Sequence, residues 1–380
     1  MNQAATLLLA SGAGDAMFRY ATGFDVEQGL YLRFGDADDV LAVSILELER
    51  ARSTSSVGSV VDRADWGWRE GVDASTNWAG VTRQLLDEHR ASSVRVRPEL
   101  PAALYLTLRD AGVGIEIAPD LLVVQRRRKS EAEAEAITRA QEAAEVALVA
   151  VVHELRGAEV GGDGRLWQGP VPLTSEHLLG RCQAVLLDHG CANLEAIVAG
   201  SPECAMPHFR GAGPILASAP VIIDIFPREL RSGYHGDLTR TVVPGSISTL
   251  VERMHRACLD AMDAACATLH AGVDGRDVHR AACAALVAAG FGTTTEGLEG
   301  QPGAPRMIHS TGHGVGLEVH EAPSLRDAPC PLLAGDVVSV EPGLYQETLG
   351  GVRVEDLVVV TDGGYRNLTR LPVGLDPAEY

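Results

Sequence analysis

The sequence lacks the features that would assign it to a membrane-spanning, secreted or disulfide-bonded class. It contains no run of about 18 apolar residues, the length that a membrane-spanning helix needs. Its first apolar stretch, Leu7–Ala10, is short and has no basic residue before it, so we interpret it as a strand and not as a signal peptide. The seven cysteines are odd in number and form no CxxC pair, which favours reduced thiols in a cytoplasmic protein over a disulfide framework.

Basic residues are also scarce. The 380 residues include 32 lysines and arginines against 51 aspartates and glutamates, so the formal net charge at pH 7 is −19. Nucleic acids and anionic membranes are bound through basic patches, and we therefore expect neither as a partner. One short basic run, Arg126–Lys129, coincides with a change of composition. We place a domain boundary there, with a first domain at 1–125 and a second at 126–380.

Residues 1–125 predict an α/β domain, because strand-like and helix-like runs alternate. The helical runs are Asn77–His89 and Pro98–Ala111, the second with a proline where the first turn of a helix tolerates one. The runs with strand character are Thr6–Ala10, Gly29–Phe34, Val40–Ile45 and Val113–Ile117. This order favours a mainly parallel or mixed sheet. Because this half contains no metal-ligand cluster or nucleophile motif, we expect the chemistry to lie in the second half.

Residues 126–380 predict a second domain of mixed helices and strands. Ser130 and Glu133 have the spacing of a capping box, so a long amphipathic helix is predicted to begin there. The other helical runs are Thr174–Gly190, Ser248–Leu269 and Gly275–Ala289. The strand-like runs are Glu195–Ala199, Val221–Phe226, Tyr234–Val243, Val337–Val340 and Leu357–Thr361. The second and third of these strands are predicted to form a β-hairpin with a long loop at Pro227–Gly233.

The stretch His309–Glu321 is the most unusual part of the sequence, because it combines three histidines with three glycines. Val315, Leu317 and Val319 alternate, which favours a half-buried strand. The glycines would allow the backbone to run close to another group. Taken alone, the stretch fits either a functional site or an ordinary glycine-containing strand with core or surface histidines.

Four carboxylates lie beside strongly apolar strands in the same half: Asp224, Asp237, Glu341 and Glu355. We expect the two aspartates to face each other across the predicted hairpin. A carboxylate buried in such strands is costly unless it is paired or binds a cation, and four together would repel one another. Divalent metal ions would resolve this conflict, and four carboxylates suit two ions better than one. An oxygen-rich site with one imidazole favours Mn²⁺, Co²⁺, Fe²⁺ or Zn²⁺.

These motifs, taken in order, resemble those of the pita-bread metallopeptidases, which include Xaa-Pro aminopeptidase, prolidase and methionine aminopeptidase, with creatinase as a metal-free relative. The first half also resembles the N-terminal domain of the proline-specific and creatinase branches, at Tyr20–Phe24 and Glu47–Arg50. Methionine aminopeptidases generally lack that domain. The motifs of the second half are the segment from Asp224 to the Asp-Leu-Thr-Arg-Thr that begins at Asp237, Gly312–Glu321, Glu341–Tyr345 and Gly351–Asp356. The resemblance therefore implies an α/β N-terminal domain followed by an α+β pita-bread catalytic domain.

The resemblance also implies a dinuclear metal site. Asp224 would hold one ion, Asp237 and Glu355 would bridge both ions, and His313 and Glu341 would hold the other. Manganese is the favoured metal, with Co²⁺, Zn²⁺ and Fe²⁺ as alternatives. A hydroxide that bridges the two ions would then attack the scissile carbonyl.

Further residues are assigned catalytic roles by the same resemblance. Glu341 would take a proton and pass it to the leaving nitrogen, and His320 would donate a hydrogen bond to the tetrahedral oxyanion. His208 and His309 match substrate-contacting histidines. Two further side chains would keep the ligands ionised and oriented: Tyr345 and Arg353.

The function implied is hydrolysis of the Xaa-Pro bond at the N-terminus of a small peptide that has proline at its second position. Both an Xaa-Pro aminopeptidase and an Xaa-Pro dipeptidase fit. A dipeptidase must hold the C-terminal carboxylate of its substrate with a cation, and Arg326 is a candidate. A creatinase-like hydrolase of a small amide or C–N bond, or a non-catalytic binding protein on the same fold, are the alternatives. The resemblance also implies a homodimer.

Overall fold

The structure is a computed structural model that describes residues 4–10, 12–35, 38–301 and 303–380. Contacts divide the chain into two compact units, Met1–Arg126 and Arg127–Tyr380. Among the described residues, every helix is either too short or too polar to cross a bilayer. The two units are described in turn.

The first unit is built on a mixed sheet with the strand order β4-β3-β2-β1-β5-β6. The elements up to Arg127 are, in chain order, β1 (Ala5–Leu9), α1 (Ala16–Thr22), β2 (Leu30–Arg33), β3 (Asp39–Val43), α2 (Ile45–Thr54), β4 (Ser59–Asp62), α3 (Ala74–Glu88), β5 (Ser93–Val96), α4 (Ala102–Asp110), β6 (Gly114–Ile117) and α5 (Val123–Arg127). Strands β1, β2 and β3 run antiparallel, whereas β4, β5 and β6 pair in parallel with their neighbours. The α/β domain with a mixed sheet that the sequence predicts is therefore confirmed.

Two local predictions for this unit need correction. Helix α4 begins at Ala102 and not at Pro98, because Pro101 has no N–H and disfavours helical geometry in the residue before it. Ile45 is not in a strand: β3 ends at Val43, and Ile45 is the first residue of α2. The short strands β4 and β5 were not predicted.

The second unit contains two pairs of helices and several curved sheets. Its elements are α6 (Glu131–Gly157), β7 (Glu159–Val160), β8 (Leu166–Gln168), β9 (Val171–Pro172), α7 (Ser175–Asp188), β10 (Cys191–Ala192), β11 (Ile197–Gly200), β12 (Val221–Ile225), β13 (Arg228–Glu229), β14 (Leu238–Val242), α8 (Thr249–Thr268), α9 (Gly275–Ala288), β15 (Gly292–Thr293), β16 (Arg306–Met307), β17 (Gly312–Gly314), β18 (Glu321–Leu325), β19 (Val337–Val340), β20 (Gly343–Gln346), β21 (Gly350–Arg353), β22 (Asp356–Thr361) and β23 (Gly364–Asn367). Short 3₁₀ turns lie at Glu203–Ala205 and Pro377–Glu379.

Each helix pair covers one face of sheet. Helices α6 and α7 pack on the sheet β11-β12-β14, where Leu148 and Leu178 meet Ile223 in one buried cluster. Helices α8 and α9 pack against each other, α8 on strands β19, β20 and β21 and α9 on β15 and β18, and Met254 and Val358 belong to a second buried cluster. The predicted capping box at the start of α6 is confirmed, because the Ser130 side chain accepts from the backbone N–H of Glu133 and the Glu133 carboxylate accepts from that of Ser130.

The predicted hairpin is confirmed, but its register differs from the expectation. Strands β12 and β14 are antiparallel, and the loop between them contains β13. The residue directly opposite Asp224 is Thr239, so the two aspartates do not face each other. Asp237 precedes β14 by one residue and lies two residues before Thr239. Because side chains alternate along a strand, Asp224 and Asp237 still belong to the same face, as diagonal neighbours.

The histidine-rich stretch is a strand for only part of its length. Strand β17 ends at Gly314, residues 315–320 form a series of bends, and β18 begins at Glu321. The register between β17 and β18 shifts at His313 and Gly314, and the N–H of Gly316 donates to the carbonyl of Glu318, which closes a turn. The prediction of a strand from the alternation of Val315, Leu317 and Val319 was therefore wrong. A turn also buries alternate apolar residues here, since Val315 is fully buried and Leu317 is nearly so.

Candidate metal centre

Five side chains proposed as metal ligands come from, or lie directly beside, strands of two sheets of the second unit, β11-β12-β14 and β18-β17-β19-β22-β23. Asp224 lies in β12 and His313 in β17. Asp237 directly precedes β14, Glu341 directly follows β19, and Glu355 directly precedes β22. Each carboxylate therefore lies in a strand or beside the end of one, where the backbone is fixed by the ladder of hydrogen bonds.

Three of these side chains are close enough to hold one cation. Ligand atoms of Asp237, His313 and Glu355 all lie within 4.8 Å of one another. The Nε2 atom of His313 is 3.7 Å from Oδ2 of Asp237 and 3.5 Å from Oε1 of Glu341. Asp224 belongs to the same electrostatic cluster, because its charge raises the pKa of Asp237, Glu341 and Glu355.

Hydrogen bonds donated by their own backbone N–H groups hold three of the carboxylate residues in place. The N–H of Asp237 donates to Oε1 of the buried Gln141 over 2.8 Å. The N–H of Glu355 donates to the carbonyl of Thr239, whose hydroxyl in turn donates to Oε2 of Glu355 over 2.7 Å. The N–H of Glu341 donates to the carbonyl of Thr311 over 2.8 Å. These contacts come from three separate parts of the second unit, so the site is held by the tertiary structure of that unit.

Glycine is required where β17 approaches β19. A Cβ atom on Gly312 would lie 1.9 Å from the carbonyl oxygen of Ser339, which no side chain could tolerate. The Ser339 hydroxyl accepts from the N–H of His313 over 3.1 Å. The close approach expected from the glycines is confirmed, and it brings the imidazole of His313 to the carboxylates.

The carboxylates are in conflict with their surroundings when no cation is present. Burial raises the pKa of Asp237 and Glu355 well above the usual range, and the neighbouring carboxylates raise it further. Burial also raises the pKa of Glu341 to about 7, against an opposing effect from Arg353. Without metal, these carboxylates would therefore hold protons on the same oxygens that can bind divalent cations.

The imidazole of His313 is oriented to act as a ligand. Its Nδ1 lies 3.2 Å from the carbonyl oxygen of Gly314, which can only accept, so Nδ1 carries the hydrogen. The lone pair of Nε2 then points toward Asp237 and Glu341. Burial lowers the pKa of His313 to about 4, which keeps the ring neutral at pH 7. A neutral imidazole whose second nitrogen donates to a carbonyl is the usual state of a metal-bound histidine.

Arg353 connects Asp224 to His309, the first histidine of the stretch, through Tyr345. Its guanidinium is buried and donates to Oδ2 of Asp224 over 2.5 Å and to the Tyr345 hydroxyl over 2.9 Å. The Tyr345 hydroxyl lies 2.8 Å from Nε2 of His309, whose Nδ1 donates to the carbonyl of Ser310. Burial lowers the pKa of His309 to about 3, so the neutral ring accepts the Tyr345 hydrogen. The predicted supporting residues Tyr345 and Arg353 thus form one continuous chain of hydrogen bonds.

The two remaining predicted histidines lie at the mouth of this cluster. The ring of His320 is 4.2 Å from that of His313, centroid to centroid, in an edge-to-face arrangement. His320 and His208 are both exposed to solvent. His208 is near enough for its charge to lower the pKa of both His309 and His320. His320 therefore lies beside the proposed ligand His313, and His208 is near His309 and His320.

The donor set fits divalent cations. It consists of carboxylate oxygens and one neutral imidazole nitrogen, which hard and borderline ions prefer. A divalent cation would remove the repulsion among the carboxylates, which otherwise shifts their pKa values upward. Sequence reasoning missed Gln141 and Thr239, which hold Asp237 and Glu355. Thr239 could have been found, since it follows Asp237 by two residues on the same strand face, whereas nothing in the sequence marks Gln141.

Comparison with known proteins gives one family and several relatives. The profile of metallopeptidase family M24 matches residues 135–362. An uncharacterised peptidase, YqhT, of Bacillus subtilis (strain 168) is 32% identical over 182 residues, which cover 48% of each protein. The Xaa-Pro dipeptidase of Pyrococcus furiosus is 32% identical over 178 residues, which cover 46% of this chain and 47% of that enzyme. The matched stretch thus spans about half the length of these two relatives.

Solved structures share the fold along the whole chain. The crystal structure of X-Pro aminopeptidase from Thermotoga maritima MSB8 superposes with a TM-score of 0.80, covering 98% of this chain and 97% of that one. The two sequences are 23% identical, so this likeness concerns the fold.

Proposed function

Because the chain belongs to metallopeptidase family M24, we propose that it hydrolyses the Xaa-Pro bond at the N-terminus of short peptides with the help of two divalent cations. The observation that carries this proposal is the largely buried cluster of Asp237, His313 and Glu355, whose ligand atoms all lie within 4.8 Å of one another. Glu341 lies 3.5 Å from His313, and the charge of Asp224 acts on the same carboxylates. The names of the Pyrococcus furiosus and Thermotoga maritima proteins, a dipeptidase and an aminopeptidase for Xaa-Pro substrates, support the choice of bond.

Five residues would hold the cations: Asp224, Asp237, His313, Glu341 and Glu355. We propose Mn²⁺ as the metal, with Co²⁺, Zn²⁺ or Fe²⁺ able to replace it. Bound cations supply Lewis acidity, which polarises a carbonyl and lowers the pKa of water. Four carboxylates balance the charge of two divalent ions.

Glu341 is the proposed carrier of the proton. In the protein without metal, burial raises its pKa to about 7, so the surroundings of this carboxylate favour a bound proton. Its side chain is 16% exposed, so it can reach a water or a substrate at the mouth of the site. We infer that it accepts the proton of the attacking water and delivers it to the prolyl nitrogen as the peptide bond breaks.

The histidines at the mouth are proposed to bind substrate and its oxyanion. His320 is exposed and packs against the ring of His313, so a hydrogen bond from its ring can reach a carbonyl oxygen that lies beside the metal ligands. His208 and His309 flank the same opening. Arg353 donates to both Asp224 and Tyr345, which orients the acidic ligand.

Replacement of His320 by alanine should lower kcat about 100-fold and leave the metal content unchanged, because the residue stabilises the oxyanion and binds no cation. Turnover of an Xaa-Pro peptide, together with metal analysis by mass spectrometry, tests this. His320→Gln retains a donor and should recover part of the loss. Loss of bound metal in His320→Ala would instead identify the residue as a ligand.

A preference for dipeptides over longer peptides would require a basic side chain that binds the C-terminal carboxylate of the substrate. Arg326 directly follows β18, the strand that begins next to His320, and its side chain is exposed. Replacement of Arg326 by alanine should raise KM for Xaa-Pro dipeptides at least tenfold and leave Xaa-Pro-Xaa tripeptides unchanged if the enzyme is a dipeptidase. Arg280, which pairs with Asp327 over 3.0 Å at the surface, provides the matched control. Equal effects on both peptide lengths would remove Arg326 from this role.

The proposal as a whole is tested with Xaa-Pro and Xaa-Pro-Xaa peptides, assayed with protein stripped of metal and with protein reloaded with Mn²⁺. We expect cleavage only after metal is restored, and only before proline. A metal-loaded protein that cleaves neither peptide would contradict the proposal.

A further inference from the structure

Lys129 is the only lysine among the 32 lysine and arginine residues of the chain. Its side chain is 1% exposed, and its Nζ lies 2.6 Å from Oε1 of Glu321, which is 6% exposed. An ammonium is compact and donates in three directions, whereas a guanidinium is broad and planar. The one lysine of the chain therefore places a compact ammonium group in an enclosed site beside Glu321. The mechanism proposed above gives this pair no role.

Glu321 directly follows His320, and its carboxylate closes the turn formed by residues 315–320. The N–H of Glu318 donates to Oε2 of Glu321 over 3.4 Å. A Cβ atom on Gly316 would lie 2.5 Å from Oε1 of the same carboxylate, so the backbone of the turn runs directly against it. The turn joins His313 to His320, whose rings are in contact. The position of the Glu321 carboxylate therefore determines the path by which the chain reaches His320.

The backbone around Lys129 is itself firmly held. The N–H of Lys129 donates to the carbonyl of Gly335 over 3.1 Å. Two residues earlier, the guanidinium of Arg127 donates to both oxygens of the buried Asp336, over 2.9 and 2.6 Å. One residue later, Ser130 caps α6. The ammonium thus approaches Glu321 from a fixed segment and not from a mobile one.

We propose that Lys129 is a positioning residue for His320, acting through Glu321. With the ammonium in place, the Glu321 carboxylate stays buried against Gly316 and keeps the turn closed. Without it, the Glu321 carboxylate would lose the ammonium that balances its charge in an enclosed site, which is unfavourable, so the carboxylate would move toward solvent and open the turn. His320 would then leave the place from which it meets the substrate, and displacements of about 1 Å cost up to about 100-fold in rate. This inference rests on the proposed function, because it takes His320 as the oxyanion donor.

The test is Lys129→Met, which retains the length of the side chain and removes its charge. We expect kcat for an Xaa-Pro peptide to fall at least tenfold with KM and metal content little changed, because the oxyanion contact forms in the transition state. We also expect faster amide hydrogen exchange in residues 315–321, and unchanged exchange in residues 337–341, which lie in and beside β19. The matched control is Arg366→Met, which removes an exposed ion pair with Glu131, two residues after Lys129, and should change neither kcat nor exchange in 315–321.

Glu321→Gln provides a second, isosteric variant that removes the other charge. It should reproduce the kinetic loss and the local exchange, and the double variant should lose no more than Lys129→Met alone, because both changes break one contact. Wild-type kcat in folded Lys129→Met and Glu321→Gln, or unchanged exchange in 315–321, would overturn the proposal. If instead the proposed function is wrong, the wild-type protein itself will cleave no Xaa-Pro peptide.

Discussion

Replacing Glu341 by glutamine should lower kcat at least about 1,000-fold while the protein remains folded. Glutamine has the same shape as glutamate but can neither accept a proton at neutral pH nor offer an anionic oxygen to a cation. Loss of proton transfer alone costs about 10²–10⁴-fold. Glu341 is also proposed as a metal ligand, so both losses would combine. The measurement is turnover of an Xaa-Pro peptide, with metal content determined on the same sample.

Metal content separates the two roles of Glu341. If Glu341→Gln retains both cations, the loss of rate belongs to proton transfer, and if one cation is lost, the residue is needed as a ligand. Glu347→Gln is the control, since it makes the same change at an exposed glutamate in the loop between β20 and β21 and should behave as wild type. Near-normal turnover by Glu341→Gln would remove Glu341 from the site.

The fold of the protein and the membership of the site could be predicted from the sequence to a large extent. The α/β first domain and the pita-bread second domain implied by the resemblance are confirmed by the structure and the comparisons. Asp224, Glu341 and Glu355 stand out because each lies within two residues of a run rich in valine, isoleucine or leucine, where a lone charge would be costly. The glycines around His313 also stand out, because the absence of a Cβ atom allows β17 to approach β19.

What the sequence does not reveal is the set of contacts made by residues far apart in the chain. The alternation of Val315, Leu317 and Val319 predicts a strand, but Gly314–Leu317 are buried in succession and the register shifts at Gly314, where the strand ends. Gln141 supports Asp237 from a helix whose pattern indicates packing alone. Lys129 and Glu321 are separated by 192 residues, and no local pattern connects them. Such contacts depend on tertiary structure, which local propensities do not encode.

Removal of divalent cations should make the free energy of unfolding fall as the pH rises from about 5 to about 7. In the folded protein without metal, burial raises the pKa of Glu341 to about 7 and that of Asp237 and Glu355 well above their usual range. In the unfolded chain these groups titrate near pH 4. Between these values the folded state retains protons that the unfolded state has released.

The sign follows from proton linkage. Below about pH 4 both states are protonated and the groups do not affect stability. As the pH rises, the unfolded state binds fewer protons than the folded state, so stability decreases by up to about 1.4 kcal/mol per pH unit for each such group. For Glu341 the decrease ends near pH 7, where the folded state also releases its proton, and for Asp237 and Glu355 it continues to higher pH. Bound cations stabilise the ionised carboxylates and abolish this penalty.

The measurement is the melting temperature of metal-free and Mn²⁺-loaded protein at pH 5, 6, 7 and 8. The two curves should diverge steadily with pH, because cations compete with protons for the same oxygens and because each kcal/mol moves the melting temperature of a domain this size by about 2–4 °C. Glu341→Gln removes one of the titrating groups and should make the metal-free curve flatter between pH 5 and 7. A difference between the two forms that is the same at pH 5 and at pH 8 would show that these carboxylates are not the groups that bind the cations.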